Sequence, residues 1–361
     1  MPARTEPEQD QDHVMSPSIT RRQWLGAALA SSITPAALGA PPPTRDPKKP
    51  FRIYAITFRG MTDVEKGFEE YFTARKIPVQ IVFRDLNRDN GRMAGFLDEI
   101  RSTRPDLVYT WGTSVTLGVV GPTDAVVKGQ HITDIPVVFT LVAAPVQAKI
   151  VPDLRSSGRN VTGVTHVVPT DAQMRAIGAY RPFQTLGVLY TSTEKNSVVV
   201  LDEIRRIGRD RGFHTVERSF RLDATRKPVA DGAADLVREL KDAGAQWLYL
   251  PPDSYLGTLA EGVIIPAATD LGLPTFASTE QLMQAGALSG LVSRYYNVGQ
   301  FTAFKAEQIL VERKKPADIP VETLKRFSYQ IRMPVAHKLK LPPPLGMFNY
   351  AELISGDAPS S

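Results

Sequence analysis

From Phe51 onward the chain alternates short apolar runs with helical spacing, and it does so twice. "FRIYAITF" (51–58), "VQIVFRDL" (79–86), "DLVYTW" (106–111) and "IPVVFTLV" (135–142) read as strands. Between the first two, residues 62–75 place Val64, Phe68 and Phe72 on one helical face, and Phe96, Leu97 and Ile100 mark the next helix. Strands this apolar have no wet face, so they call for helices on both sides of a parallel sheet. The rhythm restarts after Asn160 with "TLGVLYT" (185–191), "FHTVERSF" (213–220), "QWLYLPP" (246–252) and "LPTFAS" (273–278). Helical segments over 198–211, 231–243 and 256–271 interleave them, and a short one follows the last. The pattern predicts two α/β units of like plan. A long helix over 298–313 and a strand–helix over 328–339 remain, expected to return to the two units by crossovers. Residues 343–361 carry no pattern of order and are expected to form a flexible tail.

Ahead of the first strand, Thr20-Arg21-Arg22-Gln23-Trp24-Leu25 precedes a weakly apolar stretch that closes on Leu38-Gly39-Ala40. The stretch is too short and too rich in Ala, Ser and Thr to span a bilayer, which takes roughly 20 strongly apolar residues. Residues 1–40 are read as a twin-arginine-type signal peptide, and 41–50 as a Pro-rich linker that cannot pack. The chain has no cysteine, which excludes disulfides, thiolate metal sites, a Cys nucleophile and a lipid-modified cysteine. The expected location is the periplasm, exported, soluble and not lipid-anchored.

Lys and Arg number 43 against 38 Asp and Glu, a mild excess with no dense basic stripe, so nucleic acid is not an expected partner. Phosphate loop, zinc, nucleophile-elbow and dinucleotide motifs are all missing. The five histidines, His13, His131, His166, His214 and His337, share no ligand spacing and are read as surface or hydrogen-bonded residues. No catalytic residue, cofactor or metal is expected. The chemistry has to be sought elsewhere.

Open α/β sheets bind ligands beyond the carboxyl ends of their strands, where helix N-termini point outward. The exits here are Thr57–Gly60, Trp111–Ser114, Leu141–Pro145, Thr191–Ser197, Pro251–Tyr255 and Ala277–Glu280, most of them carrying hydroxyls or amides. Each alone reads equally well as a helix N-cap, worth around 1 kcal/mol. If the two sets of exits face one another, the same residues serve as caps and contacts. Thr113 and Ser114 would then hold a carboxylate, and Asp253 an ammonium. On that reading Asp253→Ala abolishes ligand binding and leaves the unliganded protein nearly as stable.

Several stretches carry a resemblance: "TWGTSVT", "IPVVFTLVAAPVQAKIV", "NVTGVTHVVPTDAQM", "LGVLYTSTEKNSV", "LYLPPDSYLGT" and "PTFASTEQLMQAGALSGLVSRYYNVGQ". In order and spacing, from about Ile53 to Pro342, the chain resembles the ABC-transporter substrate-binding family that includes tryptophan- and tyrosine-binding periplasmic proteins. The resemblance implies an α/β, two-lobed type I periplasmic-binding fold, each lobe a mostly parallel sheet flanked by helices, joined by crossover hinge strands. Lobe 1 would comprise 51–163 plus 292–322, and lobe 2 would comprise 164–291 plus 323–342. A small-molecule ligand would sit in the interlobe cleft, and ABC permease membrane subunits would be the partners of a monomer. Carried over residue by residue, the ligand contacts are Thr113 and Ser114, Ala143 and Ala144, Asn196 and Ser197, Asp253 and Ser254, Ser278, and Tyr295 (or Tyr296). Ala143-Ala144 stand where the family often has Thr-Asp, Ser254 where Asn is usual and Thr279 where Asp is common. These departures leave the cargo open: a small organic solute, with amino acid-like cargo one candidate. A sensory input protein for a membrane receptor and an exported α/β hydrolase using Asp253 are the alternatives.

Overall fold

The computed structural model describes residues 49–356. The signal-peptide reading and nearly all of the Pro-rich linker lie outside them.

The first lobe is built from β1 (Phe51–Thr57), α1 (Asp63–Arg75), β2 (Val79–Asp85), α2 (Met93–Thr103), β3 (Leu107–Trp111), α3 (Gly112–Val120), β4 (Val137–Thr140) and β5 (Val161–Gly163). Its five strands run parallel in the order β2-β1-β3-β4-β5. Side chains alternate along a strand, so β1 sends Ile53 and Ala55 into one apolar layer and Tyr54 and Ile56 into the other. Both faces are buried. This is why the strands read as unbroken apolar runs.

The second lobe contains α4 (Thr170–Tyr180), β6 (Thr185–Tyr190), α5 (Lys195–Arg211), β7 (His214–Ser219), α6 (Ala233–Asp242), β8 (Trp247–Leu250), α7 (Ser254–Leu259), α8 (Ile265–Asp270), β9 (Thr275–Ala277), α9 (Glu280–Gln284) and β10 (Ser289–Val292). The chain then returns to the first lobe as α10 (Tyr295–Leu310), which packs against α1, and ends in the second as β11 (Ser328–Arg332), α11 (Met333–Lys338) and β12 (Glu352–Ile354). The second sheet has seven strands in the order β12-β11-β10-β9-β8-β6-β7, parallel except for the β10–β11 pair. On β8, Trp247 and Tyr249 enter one layer and Leu248 and Leu250 the other.

Four features depart from the sequence reading. The helix expected over 256–271 is broken by a π-helical turn at Ala260–Ile264, one residue ahead of Pro266, which has no N–H to continue the ladder. The short strands β5 and β10 and the helix α4 are additional to those expected. The last long helix runs three residues earlier than expected at each end. Finally, the expected flexible tail is ordered as far as it is described. Met347 is buried, Tyr350 meets the Tyr329 ring edge-on at 6.2 Å, and β12 pairs in parallel with β11. Its order comes from contacts with residues far back in the chain, which local periodicity does not encode.

Three connections join the lobes: residues 164–169, 293–294 and 320–327. The first and third lie side by side, with Thr165 N donating to Glu322 O at 2.9 Å. The second is braced by charge. Glu280 accepts from Tyr295 N and pairs with Arg294, which also pairs with Glu352 on β12 at 2.6 Å. Among the described residues no helix is long and apolar enough to cross a membrane.

Candidate functional site

A cleft of about 470 Å³ opens between the lobes, lined by strand exits from both sheets. On the first-lobe side are Phe58 and Arg59 after β1, Trp111 to Ser114 at the start of α3, and Leu141 and Ala143 after β4. The second lobe contributes Thr193 to Asn196 before and within α5, Pro252 to Ser254 at the start of α7, and Thr279 and Gln281 around α9. His166, from the first connection, and Tyr295, the first residue of α10, form the base and meet ring to ring at 6.2 Å, edge to face.

At α3, Gly112 adopts φ +79, a conformation open to glycine, and turns β3 directly into the helix. Trp111, at the N-cap position, supplies no side-chain cap, so the first N–H groups of α3 have no side chain to bond. Thr113 Oγ1 and Trp111 Nε1 are buried and lack hydrogen-bond partners. Unpartnered donors therefore lie at the start of α3 among residues that line the cleft, an arrangement suited to an oxyanion.

Asp253 is bound first of all by its own lobe. Its side chain caps α7 and binds the β6–α5 loop. Oδ1 accepts from Leu256 N (2.8 Å) and Thr191 Oγ1 (2.9 Å), and Oδ2 from Thr191 N (2.7 Å) and Ser197 Oγ (2.6 Å). A carboxylate offers about four acceptor directions, and these bonds use all of them. Glu194 lies alongside, its oxygens accepting from Ser254 N and Tyr255 N at 2.9 Å each. Burial and the Asp253 charge push the Glu194 carboxyl up to about 6.

Of the residues named from sequence, Thr113, Ser114, Ala143, Asn196, Asp253, Ser254 and Tyr295 line the cleft. Ser197 and Ser278 do not: both are fully buried within the second lobe, Ser197 because Asp253 draws its hydroxyl inward. Ala144 lines an adjoining apolar recess shared with Ala143 and Asn196. Tyr296 faces away and donates to Glu70 on α1. Sequence reasoning missed Arg59, Arg88, Glu194 and His166 as lining residues. Arg59 and Glu194 stood within named strand exits, but those exits were read for hydroxyls and amides; nothing local marks Arg88 or His166.

His166 also departs from the expectation of a surface or hydrogen-bonded histidine. It is buried, its Nδ1 has no partner, and burial followed by the Arg59 charge pushes its pKa down to about 4. An unfolded histidine takes up a proton near 6.5. Stability from the neutral imidazole is therefore complete above pH 6.5 and is lost as pH falls toward 4, by up to about 3 kcal/mol. Glu194 acts oppositely, its contribution being complete below the normal glutamate range and lost as pH rises through about 6. Urea unfolding of His166→Phe at pH 7 and pH 4.5 should show a smaller acid loss than the parent protein. Equal losses would mean that His166 is not held neutral.

A two-lobed receptor whose strand exits converge on a shared cleft is the class of protein that this fold and site define. The family described as ABC transporter substrate binding protein matches residues 59–349, and the chain belongs to that family. Its fold is the expected type I periplasmic-binding fold. A tyrosine-binding protein of Clostridioides difficile (strain R20291) is 25% identical over 247 residues, covering 68% of this chain and 66% of the relative, just under two thirds of its length. An ABC domain in complex with L-Trp from Streptococcus pneumonia superposes with a TM-score of 0.72 at 22% identity, over 85% of this chain and 100% of that one. The ligand-free, open structure of a substrate-binding protein from Clostridium difficile does so at 0.66 with 21% identity and the same coverages.

Proposed function

We propose that the chain is the solute-capturing component of an ABC importer, closing its two lobes on a small organic solute of amino acid-like type. One observation carries this reading: a single cleft receives the strand exits of both sheets. A solute touching both walls favours the closed state by its differential contacts, and a permease can read that state. Residues 51–163 with 295–319 and residues 170–292 with 328–356 are the bodies that move, about the three connections. Thr113 and Ser114 at the open end of α3 take a carboxylate. Asn196, Ser254 and Tyr295 contact the solute from the second lobe and the base, and Asp253, also in the lining, clamps that wall together. Supporting the cargo class, one relative is a tyrosine-binding protein and one structural neighbour holds L-Trp. Export through the twin-arginine route, a periplasmic location without a lipid anchor, and a monomer docking on ABC permease subunits complete the proposal.

Thermal unfolding against a panel of amino acids and small carboxylates tests it. A ligand at 100 times its Kd adds about 2.7 kcal/mol of stability, an easily read rise in Tm. Small-angle scattering of the same complex should show contraction. A panel with no stabilising member, or a stabilising member without contraction, would sink the closure reading.

A further inference from the structure

The charged groups around the cleft are unevenly satisfied. Both carboxylates are committed to the protein: Asp253 takes four hydrogen bonds, and Glu194 turns each oxygen to a backbone N–H of α7. The cations are not. Arg59, at the β1 exit, is partly buried with its guanidinium carbon 4.9 Å from the centroid of the Trp111 ring. Among the described residues no carboxylate lies within 4.0 Å of it. Burial holds it below the usual arginine range and Arg88 adds to that, while the Tyr295 hydroxyl and the Glu65 charge act in the other direction. Glu65 is itself occupied by Thr62 N, Thr62 Oγ1 and Tyr109 OH, and burial pushes it toward its neutral form. Arg88 and Lys195 also line the cleft, exposed and without ion pairs among the described residues. A guanidinium has five N–H donors in a fork that fits a carboxylate. Leaving one partly desolvated against an aromatic ring costs stability unless an anion arrives.

We propose that the cleft takes a compact solute of net negative charge, an acidic amino acid or a dicarboxylate, with one of its acidic groups against the Arg59 guanidinium. This rests on the solute-capture reading above and narrows it. The ammonium of any amino acid, neutral or acidic, meets no unsatisfied anion among the lining residues, because Asp253 and Glu194 are bonded to the protein, so charge selection falls to the acidic groups. A second carboxylate matches the cation that is left over.

The experiment uses the full chain in thermal-shift and calorimetric titrations with L-glutamate, L-aspartate, succinate and glutarate, set against L-leucine, L-tyrosine and L-lysine. At least one of the four anionic compounds should stabilise the protein, and none of the others. The amino acid and dicarboxylate arms tell whether the ammonium contributes. Arg59→Gln should weaken that anion on the order of 100-fold, while the unliganded Tm stays level or rises, because a partly desolvated charge without an ion pair has gone. Arg59→Lys should retain part of the affinity. Stabilisation by neutral amino acids alone, or full affinity in Arg59→Gln, overturns this inference and leaves solute capture standing. If no compound in either set stabilises the protein, both readings fall together.

Discussion

Asp253→Ala is expected to lower the Tm of the unliganded protein by roughly 5 to 10 °C. The substitution strands four donors at once: the N–H groups of Thr191 and Leu256 and the hydroxyls of Thr191 and Ser197. Only 7% of Asp253 is exposed, so water does not readily replace the carboxylate. Hydrogen bonds to a charged group contribute about 1.5 to 3 kcal/mol each, and such bonds are far from additive. Some of the donors can relax onto solvent in the cleft, which brings the expected loss to about 3 kcal/mol. Asp253→Asn keeps one acceptor oxygen and should lose less. Ligand affinity should fall as well, since the start of α5, which carries Asn196, is held by this clamp through Ser197. The sequence reading predicted the reverse, lost binding at unchanged stability. Unfolding curves of the unliganded variants decide between them: an unaltered Tm in Asp253→Ala would make the carboxylate a ligand group after all.

Gly299→Ala should cost a similar amount, for a reason of space. Where α1 crosses α10, a Cβ on Gly299 would sit 1.9 Å from the carbonyl oxygen of Val64, and one on Gly67 would sit 2.1 Å from that of Tyr296. Both obstacles are backbone, so no rotamer change relieves them and the helices have to separate. Overpacking of a dense core costs about 1 to 3 kcal/mol, and a rigid backbone clash falls at the upper end, about 3 kcal/mol. α10 begins at the second connection and carries Tyr295 into the base of the cleft. The displacement should therefore also weaken ligand binding. Gly95→Ala is the control. Its Cβ meets nothing within 4 Å, and alanine in the first turn of α2 should be neutral or stabilise by up to about 0.5 kcal/mol. A Gly299→Ala protein as stable as its parent would show that the two helices are not in contact through their backbones.

Much of the fold was legible along the chain. The strands β1, β3, β6 and β8 announce themselves because both faces are buried, leaving apolar runs that few other structures accept. Helix α1 is equally plain, with Thr62 capping it and Glu65 closing the capping box. The ends of β1, β3, β6 and β8 pointed to the cleft, because a parallel sheet concentrates its functional loops at one edge.

What the linear order of residues determined was which segments become strands and helices, and which loops lie at the binding edge. Burial pattern and capping are local properties, so sequence carries them. Only the tertiary structure decided what those loops do. Asp253 is a clamp because Thr191 and Ser197, some 60 positions away, arrive at its oxygens. Likewise, β12 is a strand because β11 offers it an edge, and Arg59 lacks an ion pair because, among the described residues, no carboxylate is folded against it. Whether a polar group is satisfied depends on neighbours brought together by folding, and one-dimensional spacing does not record them.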